Sequence, residues 1–262
     1  MSVVIKSRDE VAVLHEAGRL NAEIRQILRE AIRPGVTGIE LDELAKREID
    51  RRDAEPTFVD YAPGGRPLYP GAICFSVNEE LVHGIPSDRA LEDGDIVTID
   101  LGVTYRGWVS DAAFTAGVGE VSPEAEELMR ATEEALWLGI AAARAGARLG
   151  DVSFAIGDAA GGYGIIDEYG GHGVGRTMHE EPHILNKGRK GTGLQLKPGM
   201  VLALEPMFAL GHPSTEEGDD RWTVTMRDGS LSAHFEETIA ITEDGEPLVL
   251  TRIEAPVAGR AR

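Results

Sequence analysis

Residues 96–115, IVTIDLGVTYRGWVSDAAFT, carry the clearest structural signal in the chain. Apolar residues alternate along both arms, and a turn near residues 105–107 joins the arms, which is typical of a β-hairpin. If the arms pair symmetrically about that turn, Asp100 and Asp111 lie directly opposite each other, with Cβ atoms about 5 Å apart. Carboxylates at that separation repel each other unless a cation lies between them, so the pair predicts a metal site. Two solvent-facing aspartates near a loop are the alternative.

The pattern of helices around this hairpin recurs along the chain. Residues 8–32 have apolar residues at helical spacing, and after RPGVTG a second helix is predicted from about 39 to 51. Ser122 and Pro123 start a long helix, and DVSFAIGDAA begins another one after RAGARLG. RPGVTG and RAGARLG therefore occupy equivalent places, each between two helices and ahead of strands.

This repetition predicts two related halves within one α+β domain. The halves span about 8–117 and 122–250, and the single domain spans 1–262. We expect the sheets of the two halves to face a shared central cleft, where ligand groups from both halves meet. An ordinary α+β domain with a common helix–turn–helix rhythm is the alternative.

Two further candidate ligands lie in glycine-rich or strand-like segments of the second half. His172 stands in YGGHGVG, where the flanking glycines free the backbone to approach a ligand closely, although a lone histidine in a glycine loop is usually a turn residue. Glu205 closes the apolar strand GMVLALEPMF, just before Pro206, which cannot donate a ladder hydrogen bond. His179 in HEEPH is a second imidazole that could reach the same cleft.

The segment SLSAHFEETIAIT supplies the last candidate ligand. Its alternation predicts a strand whose polar face includes Ser232, His234, Glu236 and Thr238. Glu237 is expected to point with the apolar face or to be exposed beyond it. The chain thus offers a mixture of carboxylates and an imidazole that can hold two divalent ions, namely Asp100, Asp111, His172, Glu205 and Glu236.

Composition limits the classes of function. A formal net charge of −19 argues against direct binding to nucleic acid. The apolar runs are far shorter than the roughly 20 residues of a transmembrane helix, and MSVVIKSRDE lacks the apolar core of a signal peptide, so no membrane contact is expected. Because Cys74 is the single cysteine, no internal disulfide can form, and a reducing cytoplasm is expected. A monomer is also expected.

Five separated segments resemble the motifs of type I methionine aminopeptidases. They are HGIP around His83, the IDLG to SDAAFT hairpin, GGHGVGRTMHEEP, LALEPM and SLSAHFEETIAIT, and the similarity covers about residues 9–250. The resemblance implies the pita-bread fold, in which two pseudo-symmetric halves with antiparallel sheets surround a central metal cleft and helices lie outside. It also implies removal of the initiator methionine from nascent polypeptides, and leaves contact with the ribosome open.

The resemblance assigns roles to individual residues. It implies that the five candidates named above are the metal ligands and that Asp111 and Glu236 bridge the two ions. His83 and His179 match histidines that contact substrate. The remaining positions match the methionine pocket and the cleft wall, and they are Tyr69, Cys74, Met178 and Trp222.

Oxygen-rich coordination with one imidazole suits Mn, Fe or Co and accepts Zn, so the sequence leaves the native metal open. We expect the substrate amine to bind one ion and a water, deprotonated with help from Glu205, to attack the scissile carbonyl. His179 and the ions are expected to stabilise the oxyanion, while His83 positions the leaving amide. Cys74 as a nucleophile is a competing mechanism, although the sequence provides no evident general base beside it.

Two features depart from the pattern of the family. The segment FVDYAPGGRPLYP is longer between Tyr61 and Tyr69, and Met178 stands where phenylalanine is common. Residues 62–67 are turn-rich, so the segment from Tyr61 to Tyr69 is expected to form a surface loop at the cleft rim. The loop either narrows the entrance or has a length without effect on function. Two other functions stay open, namely a pita-bread peptidase that cleaves before proline and a pita-bread binding protein without catalysis.

Overall fold

The computed structural model describes residues 3–253, and the helices in that range begin and end close to the sequence predictions. Ser7 caps the first helix, because its side chain accepts a hydrogen bond from the Glu10 amide. Ser122 caps the third in the same way, as its position before Pro123 predicts. The helices are α1 (Arg8–Ala31), α2 (Gly38–Asp50), α3 (Pro123–Ala142) and α4 (Leu149–Ala159), with a short 3₁₀ turn at Pro63–Gly65.

The strands within residues 3–253 pair antiparallel. The strands are β1 (Glu55–Pro56), β2 (Ile73–Val77), β3 (Glu80–Val82), β4 (Ile96–Tyr105), β5 (Trp108–Gly117), β6 (Gly164–Ile165), β7 (Gly171–Gly173), β8 (Glu180–Ile184), β9 (Val201–Leu204), β10 (Met207–Ala209), β11 (Thr215–Glu217), β12 (Val224–Met226), β13 (Ser232–His234), β14 (Glu237–Ala240) and β15 (Leu248–Val249). In the first half, β4 pairs with β5 on one edge and with β1 and β2 on the other. In the second half, one sheet has the order β15-β14-β9-β7-β8 and another the order β13-β10-β6. The third sheet, β11-β12-β3, joins the halves, because β3 belongs to the first. Helices and antiparallel sheets together make an α+β fold.

The hairpin β4–β5 forms as predicted, but its register differs by one step. Its turn consists of Arg106 and Gly107, both with positive φ, as two-residue hairpin turns require. The ladder pairs Tyr105 with Trp108, Asp100 with Ala113, and Gly102 with Asp111. The prediction that Asp100 and Asp111 are directly opposed is therefore wrong, because the turn is centred one residue later than assumed. The two aspartates still share a face and are diagonal neighbours.

The two halves repeat a turn in detail. Gly35 in RPGVTG and Gly146 in RAGARLG both have φ of 88°. The Gly35 amide donates to the Leu91 carbonyl at 2.7 Å, and the Gly146 amide donates to the Leu196 carbonyl at 2.9 Å. In each half, a left-handed glycine after a long helix is thus fixed by a later segment of the chain. These matched contacts support two pseudo-symmetric halves over the alternative of a common helix–turn–helix rhythm.

The core lies between the helices and the outer faces of the sheets. Helix α1 packs against β4 and β5, and helix α3 packs against α4, β10 and β13. Leu28 of the first helix is buried in the same cluster as Ile99 and Leu101. Because side chains alternate along a strand, the face of β4 that carries Asp100 points away from α1. The helices therefore direct the polar face of the hairpin towards the middle of the molecule.

The strands of the second half are short and break at the two glutamates. Strand β9 ends at Leu204 and β10 begins at Met207, so Glu205 lies in the break, as Pro206 predicts. The segment SLSAHFEETIAIT was predicted as one strand, and this prediction is wrong. It forms β13 and β14, which belong to different sheets, and Glu236 lies between them. Alternation did not reveal this break because both faces of the segment are buried.

Candidate metal centre

Strand register brings the ligands of the first half to the same face as Glu236. Ala113, the partner of Asp100, also exchanges two backbone hydrogen bonds with Glu236, at 3.2 and 2.9 Å. Directly paired residues point to the same face of a sheet, so Asp100, Ala113 and Glu236 project together. Asp111 lies two residues before Ala113 and therefore shares that face.

A second row of paired residues adds His172 and Glu205. His172 pairs with Ala203, which also pairs with Thr238, and Glu205 lies two residues after Ala203 on the same face. The two rows are joined because the Thr238 hydroxyl donates to the Asp111 carbonyl at 2.7 Å and accepts from the Asp111 amide at 3.2 Å. The hairpin and the broken strands thus meet at one place.

The donor atoms converge where the rows meet. Donor atoms of Asp111, His172 and Glu236 all lie within 4.8 Å of one another. His172 Nε2 lies 3.8 Å from Asp111 Oδ2, 3.7 Å from Glu205 Oε1 and 4.0 Å from Glu236 Oε1. Every predicted site residue lines one cavity. Its lining consists of Phe58, Tyr61, Tyr69, Cys74, His83, Asp100, Asp111, His172, Met178, His179, Glu205, Trp222 and Glu236.

Burial makes the charged forms of these carboxyl groups unfavourable. It raises the pKa of Asp100 to about 7 and that of Glu205 to about 8, with the charge of Asp100 adding to the shift of Glu205. Burial, followed by the charge of a neighbouring aspartate, also raises the pKa of Asp111 and Glu236 well above the usual range. So many buried carboxyl groups at one place are stable as carboxylates only beside positive charge.

The hydrogen bonds around the cavity suit a cation. Among the described residues, Oδ1 of Asp100, Oδ1 of Asp111 and Oε1 of Glu236 have no hydrogen-bond partner. His172 Nδ1 lies 2.9 Å from the Gly173 carbonyl, to which it can donate, and Nε2 is then left as an acceptor facing the carboxylates. Carboxylate oxygens and an imidazole nitrogen are the donors that divalent transition metals take, so these residues fit a metal ion.

The glycines around His172 have a role other than the predicted one. His172 lies on strand β7 rather than in a loop. A Cβ at Gly171 would lie 2.4 Å from the Ala203 carbonyl oxygen, and one at Gly173 would lie 2.3 Å from the Glu181 carbonyl oxygen. The glycines are therefore needed for close approach of neighbouring strands, rather than for close approach of a ligand.

Aromatic and sulfur-containing side chains form the other wall of the cavity. Tyr69 and Trp222 meet edge to face, with ring centroids 5.0 Å apart. Cys74 and Met178 are buried in the same cluster. Burial, and then the charge of Asp100, raise the pKa of the Cys74 thiol well above its usual value. Cys74 is thus a neutral thiol in an apolar wall, which argues against its use as a nucleophile.

Two histidines complete the cavity on the side of the apolar wall. Burial lowers the pKa of His83 to about 4 and also lowers that of His179, so both are neutral near pH 7. His83 has φ of 61°, a conformation that non-glycine residues rarely adopt. The His179 ring lies 4.4 Å from the ring of His172, and its Nδ1 lies 2.7 Å from the Tyr61 hydroxyl.

The sequence analysis missed three residues at this site. Phe58 and Tyr61 line the cavity, and buried His234 faces Glu205 from outside the lining. The predicted polar face of the strand already included His234, so alternation could have identified it. No sequence pattern indicates Tyr61, because its contact with His179 joins the two halves. Glu237 points to the same side as buried Ile239, as predicted, and forms an ion pair there with Arg25 at 2.9 Å.

The loop at 62–68 lies at the rim, as predicted. Its residues are exposed except for half-buried Arg66. The Pro67 carbonyl accepts a hydrogen bond from Trp222 Nε1 at 3.1 Å, and the Gly65 carbonyl accepts one from Arg221 at 3.3 Å. Arg66 forms an ion pair with Glu217. The loop is therefore fixed against the segment that carries Trp222.

Comparison with known proteins defines the class. Residues 12–243 match the model of metallopeptidase family M24, and the chain belongs to this family. A methionine aminopeptidase of Aquifex aeolicus is 42% identical over 261 residues, which is 97% of this chain and 100% of that protein. The crystal structure of a methionine aminopeptidase from Thermotoga maritima superposes with a TM-score of 0.92 at 40% identity, covering 96% of this chain and 100% of that one. The resemblance to methionine aminopeptidases and the pita-bread fold are thereby confirmed.

A second branch of the same fold matches less closely. An Xaa-Pro dipeptidase from Bacillus anthracis superposes with a TM-score of 0.74 at 27% identity, covering 95% of this chain but 62% of that one. The comparisons therefore favour the methionine aminopeptidases over peptidases that act at proline. Within residues 3–253, no helix is long and apolar enough to cross a membrane.

Proposed function

We propose that this chain removes the N-terminal methionine of nascent polypeptides by metal-assisted hydrolysis of the first peptide bond. The observation that carries the proposal is the convergence of donor atoms from both halves around His172 Nε2, within 3.7–4.0 Å of three carboxylates. The near full-length match to methionine aminopeptidases supports the same activity. A non-catalytic binding protein is disfavoured because such proteins have no need for a complete set of metal-binding side chains.

The proposed centre holds two divalent ions. Asp100, Asp111, His172, Glu205 and Glu236, which all line the cavity, would hold them. By the family resemblance, Asp111 and Glu236 would be shared between the two ions. When bound, a pair of such ions supplies a nucleophilic water and polarises the peptide carbonyl, which is the chemistry that two-metal sites provide in aminopeptidases generally. Mn, Fe, Co and Zn all suit these donors, so the native metal is a matter for experiment.

Three side chains of the cavity are assigned to the handling of protons and charge. Glu205, which lines the cavity with one carboxylate oxygen 3.7 Å from His172 Nε2, would accept the proton of the attacking water. His179 donates from Nε2 to the developing oxyanion, and the Tyr61 hydroxyl, 2.7 Å from Nδ1, fixes the required tautomer. His83 lies beside Trp222, with ring centroids 6.2 Å apart, and positions the leaving amide.

The apolar wall is proposed to bind the methionine side chain. A thioether packs well against aromatic rings, and flexible Met178 can adapt to it. Tyr69 and Trp222 limit the depth of the pocket, and the loop at 62–68 narrows its entrance. A small second residue such as Gly, Ala or Ser is therefore favoured.

We further propose that residues 1–262 act as a single catalytic domain, a monomer of the cytoplasm that binds polypeptide rather than nucleic acid or membrane. The net charge of −19 supports the absence of nucleic-acid binding, and the single cysteine supports a reducing cytoplasm. Residues 1–2 and 254–262 lie outside the described residues, so the structural support for this single domain comes from residues 3–253. Contact with the ribosome is open and can be tested by cosedimentation.

The proposed activity is tested by substrate choice. We expect the chain, supplied in turn with Mn, Fe, Co and Zn, to release methionine from a Met-Ala peptide and to leave an Ala-Pro peptide intact. Cleavage of the Ala-Pro peptide but not of the Met-Ala peptide would indicate a peptidase that acts at proline. Tight metal binding without cleavage of either peptide would support a binding protein instead.

A further inference from the structure

His234 is a buried histidine at the metal centre that the five-ligand assignment does not use. Its side chain is 2% exposed, and it lies outside the lining of the cavity. Among the described residues, neither of its ring nitrogens has a hydrogen-bond partner. A buried polar group without a partner is costly, so an imidazole kept in this state calls for a functional explanation.

The ring of His234 is aimed at two of the proposed ligands. His234 Nε2 lies 3.6 Å from Glu205 Oε2 and 3.9 Å from Glu236 Oε2. His172 Nε2 faces the other oxygen, Oε1, of the same two carboxylates, at 3.7 and 4.0 Å. Each glutamate therefore presents one oxygen to His172, on the side of the cavity, and the other to His234.

The backbone of His234 is firmly held. The Thr115 hydroxyl accepts from the His234 amide at 2.9 Å and donates to the His234 carbonyl at 2.8 Å. Because the Thr115 hydroxyl gives its proton to that carbonyl, it accepts a hydrogen bond from the Thr98 hydroxyl at 2.8 Å. All three residues are buried. A side chain supported in this way can position its neighbours, because its own position is fixed.

We propose that His234 is a positioning residue, which donates its Nε2 hydrogen to the outer oxygens of Glu205 and Glu236 and thereby turns their inner oxygens towards the ions. This inference rests on the proposed metal centre. The two carboxylates favour the tautomer with hydrogen on Nε2, because a lone pair facing them would be repelled. The present separations are longer than a hydrogen bond, and a small side-chain adjustment on metal binding closes them.

A matched pair of variants separates donation from simple filling of space. His234→Gln keeps an N–H donor, whereas His234→Leu keeps bulk without any donor. We expect His234→Leu to bind Mn²⁺ about 10- to 100-fold more weakly, which is the usual cost of losing a partner of a metal ligand. His234→Gln should bind Mn²⁺ nearly as tightly as the unsubstituted protein. His212→Gln, at an exposed histidine, serves as the control and should change nothing.

Isothermal titration with Mn²⁺ gives the affinities, and circular dichroism of the metal-free variants checks that they fold. Equal loss of affinity in His234→Gln and His234→Leu would overturn the proposal, since it would mean that the imidazole itself is required as a ligand. Unchanged affinity in His234→Leu would overturn it as well, since the residue would then only fill space.

A measurement on the unsubstituted protein keeps the test independent of folding of the variants. Pulsed electron paramagnetic resonance of the Mn²⁺-loaded protein counts the imidazole nitrogens bound directly to the ion. We expect one bound imidazole nitrogen, from His172. A second imidazole bound directly to the ion would contradict the proposed role of His234. Failure of the unsubstituted protein to bind Mn²⁺ or any other divalent ion would instead remove the proposed centre on which this inference rests.

Discussion

The hairpin β4–β5 and the broken strands of the second half build the same centre in different ways. The hairpin is long and regular, with ten residues in each strand, and its aspartates lie in the middle of continuous ladders. Glu205 and Glu236 lie instead in short interruptions between strands of three or four residues. Local pairing fixes the hairpin ligands, whereas a contact between the halves, the pair of backbone bonds with Ala113, holds Glu236.

Substitutions in the two regions should therefore act differently. The Glu236 backbone is held by Ala113 of the hairpin, and Thr238 is held by Asp111. Behind the break, Glu237 is bound by Arg25 of α1 and by Thr251. We expect changes around Glu236 to disturb both catalysis and the junction of the halves, and changes to the side chains of Asp100 and Asp111 to disturb the metal site alone.

The largest effect is expected for the bridging carboxylates, one from each region. Asp111→Asn and Glu236→Gln should each lose metal and lower turnover by more than about 100-fold, because loss of a ligand exceeds loss of its supporting partner. Glu237→Gln is the matched control. It should keep turnover but lower the free energy of unfolding by up to about 3 kcal/mol, because the buried Arg25 loses its charged partner.

Turnover, bound metal and thermal denaturation of the three variants check this prediction together. If Glu237→Gln lost turnover and Glu236→Gln kept it, the assignment of Glu236 to the metal-facing side of the break would be wrong.

The two neighbouring histidines should separate metal binding from transition-state stabilisation. His179→Ala should lower turnover by about 10²-fold, the scale of losing one oxyanion donor, without loss of metal. His172→Ala should lose metal as well as activity. Elemental analysis measures the bound metal in both variants. Equal loss of metal in the two would mean that His179 also serves metal binding.

Tyr61→Phe should have a smaller effect, because it removes one hydrogen bond to His179 and leaves the ring in place. The expected decrease in turnover is about 10-fold, with metal content and KM unchanged. A steady-state assay at fixed metal concentration tests it. An unchanged turnover would mean that the tautomer of His179 does not depend on Tyr61.

The stability of metal-free protein should depend on pH through the buried carboxyl groups. Folding raises the pKa of Asp100 to about 7 and of Glu205 to about 8, so the folded state holds protons that the unfolded state releases. Stability conferred by these protons is lost as pH rises towards the folded pKa values. The buried histidines, with lowered pKa, act in the opposite direction only below about pH 6.5, where the unfolded state binds protons.

Between about pH 6.5 and 8 we therefore expect the melting temperature of metal-free protein to fall by several degrees, since each proton contributes about 1.4 kcal/mol per pH unit. Saturating Mn²⁺ should abolish this fall. Differential scanning calorimetry with and without metal measures it, and an increase in melting temperature of the metal-free protein over this range would contradict the assignment.

A change in selectivity rather than in turnover is expected at the rim, which belongs to neither set of ligands. Deleting Gly64 to Leu68 removes the contacts of the loop with Trp222 and Glu217. It should relax the limit on the second residue on the order of 10-fold and leave the preference for methionine unchanged. A panel of Met-X peptides measures this, with Arg66→Ala as a milder variant. An unchanged profile would show that the restriction arises elsewhere in the cleft.

The sequence predicted the hairpin region better than the broken strands, for a physical reason. Alternation and helical spacing are local, so they revealed α1–α4 and the shared face of Asp100 and Asp111, and missed only the centre of the turn. The break at Glu236 and the ion pair of Glu237 with Arg25 depend on contacts between distant segments. Periodicity carries no information about such contacts. Pattern marked Glu205 and Glu236 as candidate ligands, and the resemblance assigned their roles, but neither revealed the breaks in which they lie.

Donors from both halves are proposed to form one metal centre that carries out the hydrolysis. The most direct test is release of methionine from a Met-Ala peptide by chelator-treated protein, before and after stepwise addition of Mn²⁺ or Co²⁺ with bound metal counted. We predict no release without metal, and recovery of both activity and thermal stability as the centre fills. Full activity in protein shown to be free of metal would contradict this prediction.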